Sequence, residues 1–530
     1  MRFAKVAGDP AGRNADKRLA LWGLVVVVLV GLGLRLYRLD HAKFWFDEYA
    51  TYVFASEPLS RIWGPDARVE TNPPLYYAMQ HLWLAFGDSR FAMRTLPALG
   101  GVCSIMAAFG LGRALLGWRE GLATAAIVAA APTHIHFSRE ARCYPWLVAV
   151  GTLALIALVQ AARVHLKGSA ASAAGTRSAS HTNEPTAPRT ALVAWLTMYS
   201  AAAIIAVYLH NTAVLLPALA SVFVGWLLVR RKAPRRLLAG WVIANGAIVA
   251  AGAWWFVTVA RQAQGTLSNF TWMPRPTPEV VYSRLLMAYD AHWSVKLLML
   301  ALALYGAWIL RGRSGLLVLL GVFVVGQPLA MYLLSLWRPM FVTRVLLWPT
   351  VCFFVLMAAG LATIKSPARF AGAVVLLMAA QLAVVAPTYP LERAESGVAA
   401  LVEHLRTAAT PGDLLILYPH EEIDFEHQYE ARDHPLNIET VGVRPDDRSY
   451  QLDVWCRARR ISKGEAIGAL ETGRRVWVMT ARDETDPFLR RLDRAARRES
   501  PVWSSGRVTL RWFDRNDAAA IGSVLPPLIR

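Results

Sequence analysis

Apolar runs nearly as long as a bilayer is thick recur along the first 388 positions, beginning with "LALWGLVVVVLVGLGLRL". A helix needs about 17–25 such residues to cross the hydrocarbon core. The composition agrees: 55% of the 530 residues are hydrophobic and 18% are charged, where a soluble domain carries roughly a quarter. The expected architecture is therefore a polytopic α-helical membrane protein.

Eleven spans are expected, at about 19–38, 92–112, 121–138, 143–163, 191–209, 212–230, 237–259, 293–310, 314–336, 342–364 and 369–388. Alternate connections carry "RNADKR", "GRALLGWRE", "RRKAPRR", "RGR" and "KSPAR", together with the basic ends of loop 166–190. The positive-inside bias puts these in the cytoplasm, with the N-terminus. The other connections (39–91, 139–142, 210–211, 260–292, 337–341 and everything after 388) then face outward. Arg35 and Arg38 end the first run without a small-residue cleavage site, so it reads as an uncleaved anchor.

The formal net charge of +19 resembles a nucleic-acid footprint, but its distribution argues against one. Of 56 Lys+Arg and 37 Asp+Glu, 21 and 23 lie from residue 389 onward, leaving 35 basic and 14 acidic residues in the membrane part. The excess belongs to short loops between spans, so no nucleic-acid partner is expected. Cys103, Cys143, Cys352 and Cys456 are scattered singly, which gives neither a disulfide framework nor a CxxC metal site. The loop 166–190 is Ala/Ser/Thr/Pro-rich and is expected to be disordered.

Two domains are expected: 1–388 in the membrane and 389–530 outside it. In the second, "ESGVAALVEHL" has helical apolar spacing, while "LLILYP", "RRVWVMTA" and "RVTLRWF" read as strands, giving a small α/β domain. It has no Gly-rich phosphate loop. "HEEIDFEHQ" (His420 to Gln428) reads first as a solvated acidic helix and only second as a metal site.

The first outer loop, 39–91, is long for a connection between spans, and such loops tend to carry function. It opens on "FWFDEYATY", where Asp47 and Glu48 stand among aromatics, and continues to "NPPLYYAMQHLW". Tyr49, Tyr52, Val53 and Ser56 share one helical face, which suggests short helices lying at headgroup depth. Asp47 alone reads equally well as a helix N-cap. The cluster "SREARCY" (138–144) alone reads as an interfacial salt-bridge network. Yet Asp47, Arg94, Arg139, Glu140, Arg142, His210 and Arg344 all fall at expected outer ends of spans. Ionisable residues at that depth are costly and mark a site by default. Carboxylates beside cations suit removal of a proton from a nucleophile while an anionic leaving group is neutralised.

Taken in order, "FDE", "PPLYY", "RTLPAL" and "SREARCY" resemble the GT-C glycosyltransferases. The likeness is to bacterial relatives of the dolichyl-phosphate-mannose protein mannosyltransferases and to the lipid A aminoarabinose transferases. It is strong over about 40–160 and weaker through "YLHNTAVLLP" and "FVTRVLLWP". The resemblance implies an inverting hexosyl- or pentosyltransferase of the bacterial inner membrane, with its C-terminal domain in the periplasm. The donor would be a polyprenyl-phosphate sugar and the acceptor a hydroxyl of a lipid, glycan or protein. Asp47 would be the general base, with Glu48 supporting it and Glu140 shaping the site. Arg94, Arg139, Arg142, Tyr144, His210 and Arg344 would serve the donor phosphate, with Asn72 and Tyr76 nearby. Relatives often carry His where this chain has Asn72, which bears on sugar or acceptor identity.

No cofactor is expected to be required. His136 stands one helical turn before Glu140, and a divalent metal there could replace arginine at the phosphate, but three converging ligands are needed. Loop 260–292, with "WMPRPTP", reads as a lid or as a plain connector. Two readings compete with the enzyme: a lipid-linked-sugar transporter or flippase, which should show broken helices and an internal repeat, and a non-catalytic envelope assembly protein.

Overall fold

The computed structural model describes residues 10–64, 70–173, 186–231, 235–264, 275–288, 293–389, 395–445, 455–483, 485–496 and 498–514. Two compact units emerge, 1–42 with 55–393, and 43–54 with 394–530. The chain divides at 393/394, but a twelve-residue piece of the first loop belongs to the C-terminal unit.

The first part of the chain folds as α1 (Pro10–Leu36), α2 (Phe46–Ala55), α3 (Leu59–Ile62), α4 (Leu75–Trp83) and α5 (Arg90–Leu115). Next come α6 (Trp118–Ala130), α7 (Pro132–Phe137), α8 (Tyr144–Ala173), α9 (Thr186–Leu209), α10 (Leu215–Arg231) and α11 (Arg235–Gln264). The last of this series are α12 (Pro278–Ala288), α13 (Trp293–Ile309), α14 (Ser314–Gly321), α15 (Gln327–Trp337), α16 (Thr350–Leu361) and α17 (Pro367–Val385). Every expected span coincides with helix. Among the described residues seven helices are long and apolar enough to cross a membrane, and Ala20–Leu36, Trp293–Ile309 and Thr350–Leu361 are shorter apolar ones. The protein is a multi-pass membrane protein.

Two expected spans are interrupted. The stretch 121–138 breaks at Ala131, which is extended (φ −62°, ψ 121°) because Pro132 follows it and opens α7. In 342–364 a 3₁₀ turn, Thr343–Leu346, and Pro349 precede the regular helix α16. The loop 166–190 is described at its two ends, which are helical through Ala173 and from Thr186. Its middle, 174–185, lies outside the described residues, as do 265–274 and 289–292 of the connection read as a lid.

Small residues set the helix packing, as expected where lipid supplies no hydrophobic drive. A Cβ on Gly306 of α13 would lie 1.8 Å from the Leu356 carbonyl oxygen of α16, so the two backbones meet there. A buried cation is accommodated likewise. The Arg35 guanidinium donates to Ser138 Oγ (3.2 Å) and to the carbonyls of Gly31 (2.9 Å), Ala129 (3.2 Å) and Val128 (3.4 Å). The last two are carbonyls at the end of α6 that lack helical partners. Gly101 leaves the space, since a Cβ there would stand 2.4 Å from Arg35 Nε.

The C-terminal unit is an α/β sandwich, as expected. In chain order it contains α18 (Gly397–Ala408), β1 (Leu414–Tyr418), α19 (His420–Glu430), β2 (Glu439–Val443), β3 (Arg459–Ile461) and α20 (Lys463–Glu471). It continues with β4 (Val476–Thr480), α21 (Pro487–Ala495), β5 (Arg498–Glu499), β6 (Trp503–Ser505) and β7 (Val508–Asp514). The sheet order is β3-β2-β1-β4-β7-β5, with β6 also on β7. The first four strands are parallel, and β7 is antiparallel to β4. "LLILY" and "VWVMT" are buried throughout, as befits parallel strands covered on both faces. Leu414, Ile416, Val476 and Val478 pack against α20 and α21, while Leu415, Leu417, Trp477 and Met479 pack against α18 and α19.

The helix α2 belongs to this unit and packs on α19. Phe46 stacks on Phe425 (5.7 Å between centroids), Tyr52 meets Tyr429 (5.0 Å), and Phe54 meets Trp455 (4.7 Å). Tyr49 Oη donates to Glu430 Oε1 at 3.0 Å. These aromatics thus serve protein packing, which corrects the expectation of a headgroup-level face: a one-sided aromatic helix has the same pattern either way. The acidic stretch on α19 is also corrected. His420, Glu421, Asp424 and Glu426 are buried, so α19 is not a solvated helix.

Candidate active site

In the membrane unit a cationic cluster forms around His210, between α9 and the 3₁₀ turn Asn211–Val214. The ring is buried and lies 5.8 Å from Tyr144. Burial, then the charges of Arg344 and Arg142, push the pKa of His210 down to about 3. The imidazole is neutral at physiological pH. Its Nδ1 accepts the Thr212 N–H at 3.2 Å, which leaves the ring proton on Nε2. Arg142, Tyr144, His210 and Arg344 are therefore neighbours, although they come from three distant parts of the sequence.

A buried carboxylate completes this region. Arg142 Nη1 donates to Tyr77 Oη at 3.5 Å, and Tyr77 Oη donates to Glu70 Oε1 at 3.2 Å. The same oxygen accepts from Asn72 N (3.0 Å) and Asn72 Nδ2 (2.7 Å). Asn72 thus holds Glu70. The segment is pinned on both sides: Gln262 Nε2 donates to the Glu70 carbonyl (2.8 Å) and Asn211 Nδ2 to the Thr71 carbonyl (2.6 Å). Glu70 and Tyr77 were not among the expected site residues. Tyr76, which was, donates to Gln80 Oε1 at 3.3 Å.

Arg94 and Arg139 bind main-chain oxygens in and beyond the last turn of α1. Arg94 Nη1 donates to the carbonyls of Leu39 (3.0 Å) and Ala42 (2.7 Å). Arg139 reaches the carbonyls of Leu34 (3.3 Å), Tyr37 (2.5 Å) and Arg38 (3.1 Å), and its guanidinium lies 4.4 Å from the centre of the Tyr389 ring. Glu140 Oε1 pairs with His136 Nε2 at 3.1 Å, and Oε2 is buried with no hydrogen-bond partner among the described residues. His134 turns away from that pair, to Thr350 Oγ1 at 2.8 Å.

Asp47 and Glu48 stand in the first turn of α2, in the C-terminal unit. Glu48 is buried, and its Oε2 accepts the Trp45 N–H at 3.4 Å, closing the helix start. Helix capping is therefore done by Glu48, and the Asp47 side chain is half-buried.

The membrane unit also holds a mainly apolar groove of about 650 Å³, lined by Val281, Leu285, Trp293, Leu297, Tyr332 and Phe341 among others. Val281 and Leu285 of α12 also pack on Phe341, Val345 and Leu346. The turn Thr343–Leu346 consequently borders the groove and carries Arg344.

This helical architecture with its appended domain is shared with solved membrane proteins. ArnT from Cupriavidus metallidurans in the apo state matches at 13% identity over 94% of this chain and 98% of its own, with a TM-score of 0.61. The same protein bound to undecaprenyl phosphate matches at 15% over 93% and 97%, with a TM-score of 0.57. The archaeal oligosaccharyltransferase AglB from Archaeoglobus fulgidus, in complex with an inhibitory peptide and a dolichol-phosphate, matches at 12% over 78% and 64%, with a TM-score of 0.52. No protein-family model matches the sequence, and no curated protein matches it. The fold is thus shared with the kind of protein the motifs resemble.

Proposed function

We propose that the protein is an inverting glycosyltransferase that moves a sugar from a polyprenyl-phosphate donor to an acceptor hydroxyl on the outer face of a bacterial inner membrane. The observation that carries this reading is the turn Thr343–Leu346: its Val345 and Leu346 pack with Phe341, Val281 and Leu285 of the apolar groove, and its Arg344 acts with Arg142 on His210. A lipid-linked phosphate needs both: apolar lining for the chain and fixed positive charge for the leaving group. That ArnT and AglB have been solved with undecaprenyl phosphate and dolichol-phosphate agrees with such a ligand.

In the reaction, the acceptor oxygen attacks the anomeric carbon as the bond from that carbon to the phosphate oxygen breaks. The proton of the acceptor passes to the Asp47 carboxylate, and the electron pair leaves with the polyprenyl phosphate. Arg142 and Arg344 neutralise its growing charge, and the neutral His210 offers its Nε2–H as a further donor. Attack from the face opposite the phosphate inverts the anomeric centre.

The test is complementation of a deletion strain, with surface glycans and polyprenyl-linked sugars both followed. Asp47→Asn should lower transfer by about 10²–10⁴-fold, the usual weight of a general base, while the protein still folds and the donor accumulates. Arg344→Ala should weaken donor use by a comparable factor. Wild-type glycan levels with Asp47→Asn would overturn the assignment.

A further inference from the structure

The C-terminal unit holds a second cluster of chemistry, remote in sequence from every residue assigned to the transfer reaction. His420 opens α19, Asp424 follows one helical turn later on the same face, and Cys456 comes from the segment before β3. One ligand atom from each lies within 4.8 Å of the others. Donor atoms around one tetrahedral zinc stand roughly 3.3–3.7 Å apart, so a contraction of about 1 Å would bring these three into position as ligands.

The surroundings are built as a metal's second shell would be. His420 is buried, and its Nε2 donates to the Ala458 carbonyl at 2.9 Å, which fixes the ring and the tautomer. Its other nitrogen, Nδ1, is buried with no hydrogen-bond partner among the described residues. A buried acceptor without a donor is costly, and a cation would remove that cost. Asp424 accepts from the N–H of Arg457 (3.1 Å), the N–H of Ala458 (3.2 Å) and Gln428 Nε2 (2.5 Å). These leave lone pairs on a carboxylate held in one orientation. Gly442 makes room for the imidazole, since a Cβ there would fall 1.8 Å from His420 Cδ2.

We propose that His420 Nδ1, an oxygen of Asp424 and the Cys456 thiolate bind one divalent transition metal of the zinc class, with a structural role. One nitrogen, one oxygen and one sulfur donor suit Zn²⁺ and not Mg²⁺ or Ca²⁺, which take oxygen ligands. The metal would clamp the segment 455–458 to α19. That segment carries Trp455 and α19 carries Phe425 and Tyr429, the residues on which α2 packs. The clamp would therefore stiffen the seat of α2.

The experiment uses the full chain, purified in detergent, stripped with chelator and titrated with Co²⁺. One equivalent should give the intense near-ultraviolet thiolate-to-cobalt band, displaced by Zn²⁺. Cys456→Ser should abolish the band, and His420→Ala should weaken Co²⁺ binding at least about tenfold. As a readout without variants, Zn²⁺ should slow maleimide labelling of Cys456, followed by peptide mass, by about tenfold or more, and chelator should restore it. A Co²⁺ spectrum without the sulfur band, a band that survives Cys456→Ser, or labelling of Cys456 unaffected by Zn²⁺ would each overturn the proposal.

Discussion

At the scale of single residues, the cluster turns on which of two adjacent tyrosines faces it. Tyr76 and Tyr77 are both buried, but Tyr77 joins Arg142 to Glu70 while Tyr76 bonds within its own helix. Tyr77→Phe leaves the Glu70 carboxylate and the Arg142 guanidinium short of one bond each. Such a loss is worth about 1–3 kcal/mol, so donor use should fall roughly five- to a hundredfold, whereas Tyr76→Phe should stay within about threefold of wild type. Steady-state transfer by the two purified variants checks this, and equal effects would contradict the geometry. The case also shows what was legible beforehand. Arg142, His210 and Arg344 stood out in the sequence as charge at the ends of spans, because a buried ionisable group is rare enough to signal, and Tyr144 came only with the motif resemblance. Glu70 could not, since a single carboxylate in a long outer loop has no periodicity or partner in the sequence. The main-chain contacts of Arg94 and Arg139 were likewise not legible, because the carbonyls they meet are distant in sequence.

At the scale of elements, the spans were legible wherever hydrophobic length decides, and the breaks were not wherever a proline decides locally, as at Ala131–Pro132. The strands β1 and β4 were legible because burial on both faces demands continuous apolar runs. The sheet also carries a pH dependence. Asp413, just before β1, is buried, which by itself raises its pKa, but donors from Arg475, the Thr410 N–H and Trp477 outweigh this and hold it below the ordinary value. Arg475 Nη2 approaches at 2.7 Å and Trp477 Nε1 at 2.8 Å. A carboxyl depressed on folding adds stability above its unfolded pKa, near 3.9, and loses it as the pH falls through the folded value. Thermal unfolding of the C-terminal unit should therefore shift to lower temperature below about pH 4. Asp413→Asn should be the less stable protein at pH 7 and show a flatter profile in that acid window. Parallel profiles for the two proteins would rule this contribution out.

At the scale of the whole molecule, the consequence is that the two units are not consecutive in the chain. A boundary near 389 was expected from the change of hydropathy and charge, and residues 43–54 fold with 394–530. Nothing in a one-sided aromatic helix distinguishes a lipid headgroup region from α19 as its partner. Truncation after residue 393 should therefore do more than remove a peripheral domain. It would leave the rings of Phe46, Tyr52 and Phe54 without Phe425, Tyr429 and Trp455. Burying a large aromatic ring contributes about 1.5–3 kcal/mol, and α2 has ten residues, too few to be a stable helix in water unaided. The expected outcome is a membrane-inserted protein whose segment 43–54 is cut by added protease at least about tenfold faster than in the intact chain, and whose transfer activity is lost along with the ordering of Asp47. Phe46→Ala with Phe54→Ala in the full chain should reproduce part of both effects while leaving the C-terminal sheet folded. If the truncated protein keeps 43–54 protected and transfers sugar normally, α2 holds its structure without the C-terminal unit, and the aromatic contacts are dispensable to the site.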